Sequence, residues 1–397
     1  MKEQNNTTQN QEKAVLCSTY SRYPLEIARG RGTKLYSPQG SEYTDLLAGI
    51  AVCALGHCHP EISAVIKEQS EILIHCSNLF YQTPQLELAR ALTRGCSLDR
   101  VFFCNSGAEA NEAALKIARR FMQTVRTQEA FEIVTLEGSF HGRTLATLTA
   151  TGQDKVKEGY APLPPGFKTV PFADIKAIKA AVGNKTAAVL VEIIQGEGGV
   201  RCLSRDYLQE VQDLCRSQGC LFMVDEVQTG LGRTGKLWAH QHFDLRPDVL
   251  TTAKGLANGL PLGAMLVSEE VSQAFGPGSH ATTFGGGPLV CAVGAKVLEI
   301  IDRDGLCRRA AEIGNEALEG FQELKRRFPD KIREVRGKGL MQGIELTFPG
   351  KGVWQELLNK GFICNVVQDH TLRILPPLII SREEIASFTR SLEEILT

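Results

Sequence analysis

The chain lacks C-x-x-C cysteine pairs, blocks of basic residues and long apolar runs. Its 12 cysteines are scattered, and several lie in apolar segments such as residues 101–104, which is typical of reduced, buried thiols rather than of a disulfide framework. A formal net charge of −1 argues against nucleic acid or an anionic membrane as a partner. No segment approaches the roughly 20 apolar residues that a membrane span requires. Together these absences predict a cytoplasmic protein.

The length of the chain predicts more than one domain. Residues 1–13 are polar and contain no apolar segment, so they do not resemble a secretory signal and are expected to form a disordered tail. The remaining chain exceeds the roughly 250–300 residues at which single cores usually stop growing. We predict a segment over 14–45 that packs with the small domain, a large cofactor-binding domain over 46–288, and a small C-terminal domain over 289–397.

Apolar runs of strand length alternate with amphipathic helical patterns between residues 100 and 267. This alternation predicts an α/β fold with a mostly parallel sheet between two layers of helices. After Pro288 the pattern changes to two long helices, over 291–301 and 308–327, followed by a short α+β region that ends in a helix from Arg382. The candidate strands of the large domain are residues 101–104, 133–136, 188–192, 221–224, 249–252 and 264–267, and two of its helices are 109–121 and 206–218.

An aspartate and a lysine each follow a predicted strand. Asp225 comes directly after residues 221–224, and Lys254 comes shortly after residues 248–252. Ligands of open α/β sheets bind at the carboxyl ends of the strands, so both side chains should face one crevice. This pair suits pyridoxal phosphate, because the lysine can hold the cofactor as a Schiff base while the aspartate pairs with its protonated ring nitrogen. From these residues alone, a structural ion pair is the alternative.

A phosphate group would need its own binding site, and one strand-to-helix turn can supply it. Residues 101–104 lead into Ser106, Gly107 and Ala108, which precede a strong helix former. The backbone N–H groups and the dipole at the start of this helix favour an anion, and Ser106 adds a hydroxyl. The alternative for this motif alone is an ordinary N-capped helix.

Two other motifs are disfavoured. Residues 230–236 match a dinucleotide fingerprint and nearly match a P-loop, but Leu237 stands where a Ser or Thr should hold magnesium, and no good crossover helix follows. His57 and His59 flank Cys58, yet alternate residues of an extended segment point in opposite directions and no second ligand group stands out. We therefore predict no metal, and a nucleotide-binding protein that uses residues 230–236 remains the alternative from another class of function.

Further candidates lie on loops after the strands. Phe140 can stack on a pyridine ring, and Arg143 can bind a substrate carboxylate with two parallel hydrogen bonds. His141 is expected to be a packed or hydrogen-bonded residue rather than a catalyst. Glu197 follows another strand, and taken alone it would be a loop charge.

In these motifs the chain resembles the class-III, ornithine-type pyridoxal-phosphate aminotransferases, from about Tyr20 to the C-terminus. The resemblance implies fold type I, with a seven-stranded-type sheet in the large domain and a smaller α+β C-terminal domain. The motifs that carry it are Gly56-His57-x-His59-Pro60, Ser77-Asn78-Leu79-Phe80-Tyr81, Phe103-Cys104-Asn105-Ser106-Gly107-Ala108-Glu109-Ala110-Asn111-Glu112, Phe140-His141-Gly142-Arg143-Thr144, Asp225-Glu226-Val227-Gln228-Thr229-Gly230, Thr251-Thr252-Ala253-Lys254, Val335-Arg336-Gly337-x-Gly339-Leu340 and Arg373-x-x-Pro376-Pro377-Leu378.

The resemblance also implies roles for matching residues. Val227 should pack on the cofactor ring opposite Phe140, and Gln228 should lie near the ring hydroxyl. Thr283 should reach the phosphate in the neighbouring subunit, with Thr282 beside the substrate, which would make the homodimer obligatory. Arg373 resembles the arginine that binds the α-carboxylate of glutamate, and Glu197 resembles its switchable partner.

The implied reaction transfers the δ-amino group of N2-acetyl-L-ornithine to 2-oxoglutarate and gives N-acetylglutamate 5-semialdehyde and L-glutamate, in arginine biosynthesis. Succinylornithine, succinyl-diaminopimelate and ornithine remain alternative substrates, and an aminomutase or a decarboxylase on the same fold remains an alternative activity. The chain departs from the family pattern at three positions, Ile193, Gly287 and Ser37, and none of these removes a catalytic group.

Overall fold

The computed structural model describes Thr8 and residues 11–397. The tail predicted over residues 1–13 therefore falls mainly outside the described residues. The strands are β1 (Arg29–Arg31), β2 (Lys34–Tyr36), β3 (Glu42–Asp45), β4 (Arg100–Cys104), β5 (Glu132–Leu136), β6 (Phe167–Val170), β7 (Thr186–Val191), β8 (Ile194–Gln195), β9 (Arg201–Cys202), β10 (Leu221–Asp225), β11 (Val249–Thr252), β12 (Gly263–Val267), β13 (Ile332–Lys338), β14 (Met341–Leu346), β15 (Phe362–Ile363), β16 (Asn365–Val367) and β17 (Thr371–Ile374).

Besides a helical stretch over residues 11–15, eleven helices of the described residues lie between these strands or after the last one. They are α1 (Pro60–Ile72), α2 (Thr83–Arg94), α3 (Gly107–Thr124), α4 (Leu145–Ala150), α5 (Ile175–Ala181), α6 (Arg205–Gln218), α7 (Glu269–Ser272), α8 (Pro288–Arg303), α9 (Leu306–Arg327), α10 (Lys351–Asn359) and α11 (Arg382–Leu396). Single helical turns occur at Ala48–Ala51, Asp154–Val156, Ala239–His242 and Lys254–Ala257. No helix in the described part of the chain combines the length and apolar character needed to cross a bilayer.

A seven-stranded sheet with the order β4-β12-β11-β10-β7-β5-β6 forms the centre of the fold. Five neighbouring strands, from β11 to β6, are parallel, whereas β12 runs antiparallel to both β11 and β4. The β7 and β10 strands are buried along their whole length, which is why they read as continuous apolar runs without alternation. The α/β prediction is confirmed, and so are all six candidate strands to within two residues at either end.

Helix α3 shows how the local sequence positions the site. Ser106 caps the helix by accepting a hydrogen bond from the backbone N–H of Glu109 at 3.2 Å. Small residues such as Ala110 and Ala114 line its buried face, so the helix lies close against the sheet. The first turn of α3 is thereby held at the carboxyl end of β4.

The remaining strands form smaller sheets. The C-terminal sheet has the order β13-β14-β17-β16. Helix α9 packs against β13 and β14, and α11 packs against α9 and α10. Another four-stranded sheet has the order β1-β2-β3-β15, in which Phe362 of β15 pairs with Thr44 of β3 in a parallel register. The N-terminal segment thus contacts the C-terminal region. The predicted domain limits stay a prediction.

Candidate functional site

A cavity of about 430 Å³ lies at the carboxyl ends of the parallel strands. It collects side chains that follow β4, β5, β7, β10 and β11, so the strand-end rule brings together most of the predicted site residues. Its lining includes Ser106, Gly107, Ala108, Asn111, Phe140, His141, Arg143, Glu192, Asp225, Val227, Gln228 and Lys254.

Asp225 is buried and accepts three hydrogen bonds. Oδ2 accepts from Asn111 Nδ2 and from His141 Nδ1, both at 2.8 Å, and Oδ1 accepts from the backbone N–H of Val227 at 3.0 Å. Hydrogen bonds to the ionised form stabilise a carboxylate. The arrangement therefore supplies an oriented negative charge at the end of β10, and it confirms that His141 is a hydrogen-bonded residue.

Asn111 links Asp225 to the neighbouring strand. Its Oδ1 accepts from Thr251 Oγ1 at 2.7 Å, and its Nδ2 also donates to the His141 carbonyl at 2.8 Å. These hydrogen bonds hold the Asn111 amide, and its Nδ2 donor thereby fixes the direction of the Asp225 carboxylate. The sequence reasoning missed this residue, although it lies four positions into the helix that carries the predicted phosphate site.

Lys254 follows β11 and is half-buried at the cavity wall. Burial lowers the pKa of its amine, even though the carboxylates of Glu197 and Asp225 oppose that effect. Its backbone φ of 46° lies in the left-handed region, a conformation that non-glycine residues adopt at a cost of about 1–3 kcal/mol. A lysine of this kind is a better nucleophile and proton acceptor than an exposed one.

The start of α3 forms the anion-binding end of the cavity. A Cβ atom placed on Gly107 would lie 2.7 Å from Val227 Cγ1, so only glycine allows the side chain of Val227 to lie this close to the start of the helix. Ser106 and Ala108 flank this position on the cavity wall. The unpaired N–H groups of a helix start suit a phosphate.

Phe140 and Val227 both line the cavity. Phe140 is half-buried, and the exposed guanidinium of Arg143 lies 5.6 Å from the centre of its ring. The structure thus brings an aromatic face, a branched apolar side chain and a free cation to one opening.

Gln228 connects the cavity with a buried ion pair. The guanidinium of Arg373, with no exposed side-chain area, pairs with the Glu197 carboxylate and donates from Nη1 to Gln228 Oε1 at 3.3 Å. Burial alone would raise the pKa of Glu197, but the Arg373 charge outweighs it and the pKa is held below its ordinary value. Arg373 Nη2 has no partner among the described residues, so the arginine keeps an unused donor.

Thr282 and Thr283 do not reach this cavity within one chain. They line a separate surface depression together with Phe284, and Thr282 Oγ1 accepts from Asn105 Nδ2 at 3.1 Å. This position outside the cavity of their own chain is compatible with the prediction that Thr283 reaches the phosphate in the neighbouring subunit, with Thr282 beside the substrate.

Glu192 is the other residue that the sequence reasoning left out of the site. It follows β7 and is 5 % exposed, and its Oε2 accepts from the backbone N–H of Phe140 at 2.8 Å. The strand-end rule that singled out Asp225 also applies to Glu192, so the signal was present in the sequence.

The two disfavoured motifs have structural roles. In the glycine-rich segment, the buried Arg233 donates to the Leu340 carbonyl at 3.0 Å, and Gly235 packs against Ala311. His57 Nε2 donates to Asp45 Oδ2 at 2.7 Å. Among Thr8 and residues 11–397, no group of three or more His, Cys, Asp or Glu side chains could hold a metal ion.

A buried carboxylate and a lysine at neighbouring strand ends, beside a phosphate-binding helix start, define a fold type I pyridoxal-phosphate enzyme. Within that class the chain belongs to the class-III aminotransferases, whose family description matches residues 17–396. The chain is therefore a pyridoxal-phosphate-dependent aminotransferase.

Curated relatives and solved structures agree with this family. Acetylornithine aminotransferase of Methanocaldococcus jannaschii is 45% identical over 386 residues, which cover 97% of both chains. Acetylornithine aminotransferase of Myxococcus xanthus is 46% identical over 374 residues, covering 94% of this chain and 93% of that protein. The crystal structure of ornithine aminotransferase from Toxoplasma gondii is 32% identical, with a TM-score of 0.95, and covers 99% of this chain and 94% of that one.

The cofactor is pyridoxal 5'-phosphate, and the residues present fit it. The site offers an amine at Lys254 for its aldehyde, a carboxylate at Asp225 for its ring nitrogen, and a helix start at Gly107 for its phosphate. Val227 lies so close to the start of the helix that residue 107 has no room for a Cβ atom.

Proposed function

We propose that this aminotransferase moves the δ-amino group of N2-acetyl-L-ornithine to 2-oxoglutarate, giving N-acetylglutamate 5-semialdehyde and L-glutamate in arginine biosynthesis. The observation that carries the proposal is the buried Arg373 paired with Glu197 at the edge of the cavity. An arginine whose charge can be masked or freed lets one site accept a δ-amine and then an α-keto acid. The curated relatives named acetylornithine aminotransferase support the choice of substrate.

Two residues carry the chemistry in this proposal. Lys254 holds the cofactor and, once released, moves the proton from the amine-bearing carbon of the substrate, a task that its lowered pKa favours. Asp225 keeps the ring nitrogen protonated through its fixed carboxylate. When bound, pyridoxal phosphate supplies a ring that withdraws electrons from that carbon.

The remaining site residues bind and orient. Ser106, Gly107 and Ala108 bind the phosphate, Phe140 and Val227 enclose the ring, and Gln228 lies near the ring hydroxyl. Arg143 is exposed at the cavity mouth, where it takes the α-carboxylate of acetylornithine. Arg373 takes the α-carboxylate of glutamate or 2-oxoglutarate after Glu197 swings away.

The active form in this proposal is a homodimer with shared sites. Leu79, Phe80 and Tyr81 are exposed apolar side chains on one loop, and Phe284 is exposed beside Thr283. Asn78 joins the two loops, because its Nδ2 donates to the Gly285 carbonyl at 2.9 Å. A contiguous apolar surface of this kind is typical of an interface, and covering it with a second copy would carry Thr282 and Thr283 to the partner's cavity.

A turnover screen tests the substrate. N2-acetylornithine, succinylornithine, succinyl-diaminopimelate and free ornithine are each offered with 2-oxoglutarate, and glutamate formation is measured. We expect the highest kcat/KM for N2-acetylornithine. A higher value for any of the other three would assign that compound instead, and rearrangement without glutamate formation would indicate an aminomutase.

A further inference from the structure

Glu192 is a buried, ionisable group in the reaction cavity that the proposed chemistry does not use. It lies in the position after Val191, and Val191 pairs with Val224 across the parallel strands β7 and β10. Glu192 and Asp225 are therefore neighbours at the same level of the sheet, and both line the cavity. Two carboxyl groups so placed in a water-poor site cannot both be ionised without a large cost.

The hydrogen bonds decide which carboxyl carries the charge. Asp225 accepts three hydrogen bonds, from Asn111, His141 and Val227, whereas the only one that Glu192 accepts within the described residues is from the backbone N–H of Phe140. Donors stabilise a carboxylate, so this difference favours the charge on Asp225 and the proton on Glu192.

The charges that surround Glu192 come from several elements. Asp225 ends β10, Glu197 lies on the loop after β8, and Lys254 lies in the turn after β11. The His141 ring, which is hydrogen-bonded to Asp225, also lines the cavity. Burial and the Asp225 charge raise the pKa of Glu192 well above its ordinary value, and they outweigh the opposing effects of the Phe140 N–H and the Lys254 amine.

We infer that Glu192 is a neutral carboxylic acid that donates a hydrogen bond from Oε1 into the cavity, to an anionic oxygen of the bound cofactor or substrate. Oε2 is occupied by the Phe140 N–H, so Oε1 is the atom free to carry the proton and to face the ligand. The anionic oxygen is that of the cofactor ring hydroxyl or of a substrate carboxylate. The inference rests on the proposed active site and is independent of which diamine is the substrate.

Infrared spectroscopy of the holoenzyme tests the protonation state directly. A protonated carboxyl has a carbonyl stretch that a carboxylate lacks, so the spectrum of the native enzyme minus that of Glu192→Gln should show this band near neutral pH. Glu384→Gln is the matched control, because Glu384 is a half-buried carboxyl with a pKa that burial would raise but that Thr33, Ser381 and Lys34 hold below its ordinary value. A band that is lost in both variants or in neither overturns the inference.

A second measurement tests the donor role. Gln can still donate where the protonated acid donated, whereas Leu cannot, so Glu192→Leu should lose kcat by about 10²-fold and Glu192→Gln should lose less. Titration of the apoprotein with pyridoxal phosphate alone shows which anionic oxygen accepts the hydrogen bond. Weaker cofactor binding in Glu192→Leu indicates the oxygen of the ring hydroxyl. A raised KM with unchanged cofactor binding indicates a substrate carboxylate. Equal losses in the two variants would mean that the negative charge is needed, which contradicts a neutral donor.

The inference can fail separately from the proposed function. If the native enzyme turns over N2-acetylornithine and the infrared band is missing, only the assignment of Glu192 is wrong. If the band is present and N2-acetylornithine is not turned over, the assignment stands and the substrate is another one.

Discussion

Arg373 and Glu197 form an ion pair in which the guanidinium is fully buried and the carboxylate side chain is 29% exposed. The arginine is therefore fixed, since Asn365 also holds its Nε at 3.1 Å, whereas the glutamate lies on a glycine-rich loop beside the solvent. Of the two side chains, only Glu197 has solvent beside it.

Removing Glu197 should change substrate preference rather than activity as a whole. Glu197→Ala leaves Arg373 permanently available to carboxylates, so we expect kcat/KM for glutamate and other α-amino acids to rise relative to acetylornithine. Arg373→Ala should selectively slow the 2-oxoglutarate half-reaction. Stopped-flow measurement of both half-reactions checks this. In a fixed ion pair, removing either partner would leave a buried charge unpaired, at a cost in stability of about 3–5 kcal/mol, without changing substrate preference. Equal losses for both substrates in both variants would rule out the switch.

Asp225→Asn should keep cofactor binding and lose most of the turnover. An amide cannot hold the ring nitrogen protonated, and one charge-assisted hydrogen bond contributes about 1.5–3 kcal/mol even before the transition state is considered. Steady-state kcat and cofactor titration measure the two effects separately. Asp248→Asn is the control, because Asp248 is bonded to Phe222 at the opposite end of β10. Near-normal kcat in Asp225→Asn would make Asp225 a structural residue.

Mixed dimers should reveal whether Thr283 serves the partner's site. Lys254→Ala and Thr283→Ala are each expected to be nearly inactive alone. Random pairing of the two variants should restore about a quarter of the native activity, because half of the dimers are mixed and each mixed dimer has one intact site. Activity after subunit exchange is the measurement. No recovery would place Thr283 in the site of its own chain.

His57 should make stability depend on pH. Its hydrogen bond to Asp45, with a further one to Cys53, raises the pKa of His57 to about 10, although burial opposes this. Because the pKa of His57 is higher in the folded protein than the value of about 6.5 in the unfolded chain, protonation of His57 stabilises the folded state. This stabilisation is fully present below pH 6.5 and is lost as the pH rises towards 10. We expect the unfolding free energy of the native holoenzyme minus that of His57→Gln, from urea titrations, to fall between pH 6.5 and 10. A constant difference would contradict the ion pair.

Six of the seven strands of the central sheet could be predicted from the sequence because they read as apolar runs, and most of their residues are buried. The strands β6 and β13 were not predicted for the opposite reason. In β6 only Val170 is buried, and β13 begins Ile332-Arg-Glu and has Ile332 as its one buried residue. Partly exposed, charged strands lack the pattern that identifies a buried one.

The site followed the same logic. Asp225, Lys254 and Phe140 could be placed because each follows a strand end, and the same rule would have given Glu192. Asn111 could not be identified, because its role depends on meeting Thr251 and Asp225, which are remote in sequence. A role for Thr282 and Thr283 in the site could be expected only from the family resemblance, because neither residue lines the cavity of its own chain.

The most direct test of the proposed reaction follows the nitrogen atom. The enzyme is given N2-acetyl-L-ornithine labelled with ¹⁵N at the δ-amine together with unlabelled 2-oxoglutarate, and the glutamate produced is examined by mass spectrometry, with Lys254→Ala as the control. We predict that the native enzyme forms ¹⁵N-glutamate and one equivalent of the semialdehyde, and that Lys254→Ala forms neither. Formation of no labelled glutamate by the native enzyme, or undiminished labelling by Lys254→Ala, would contradict the account.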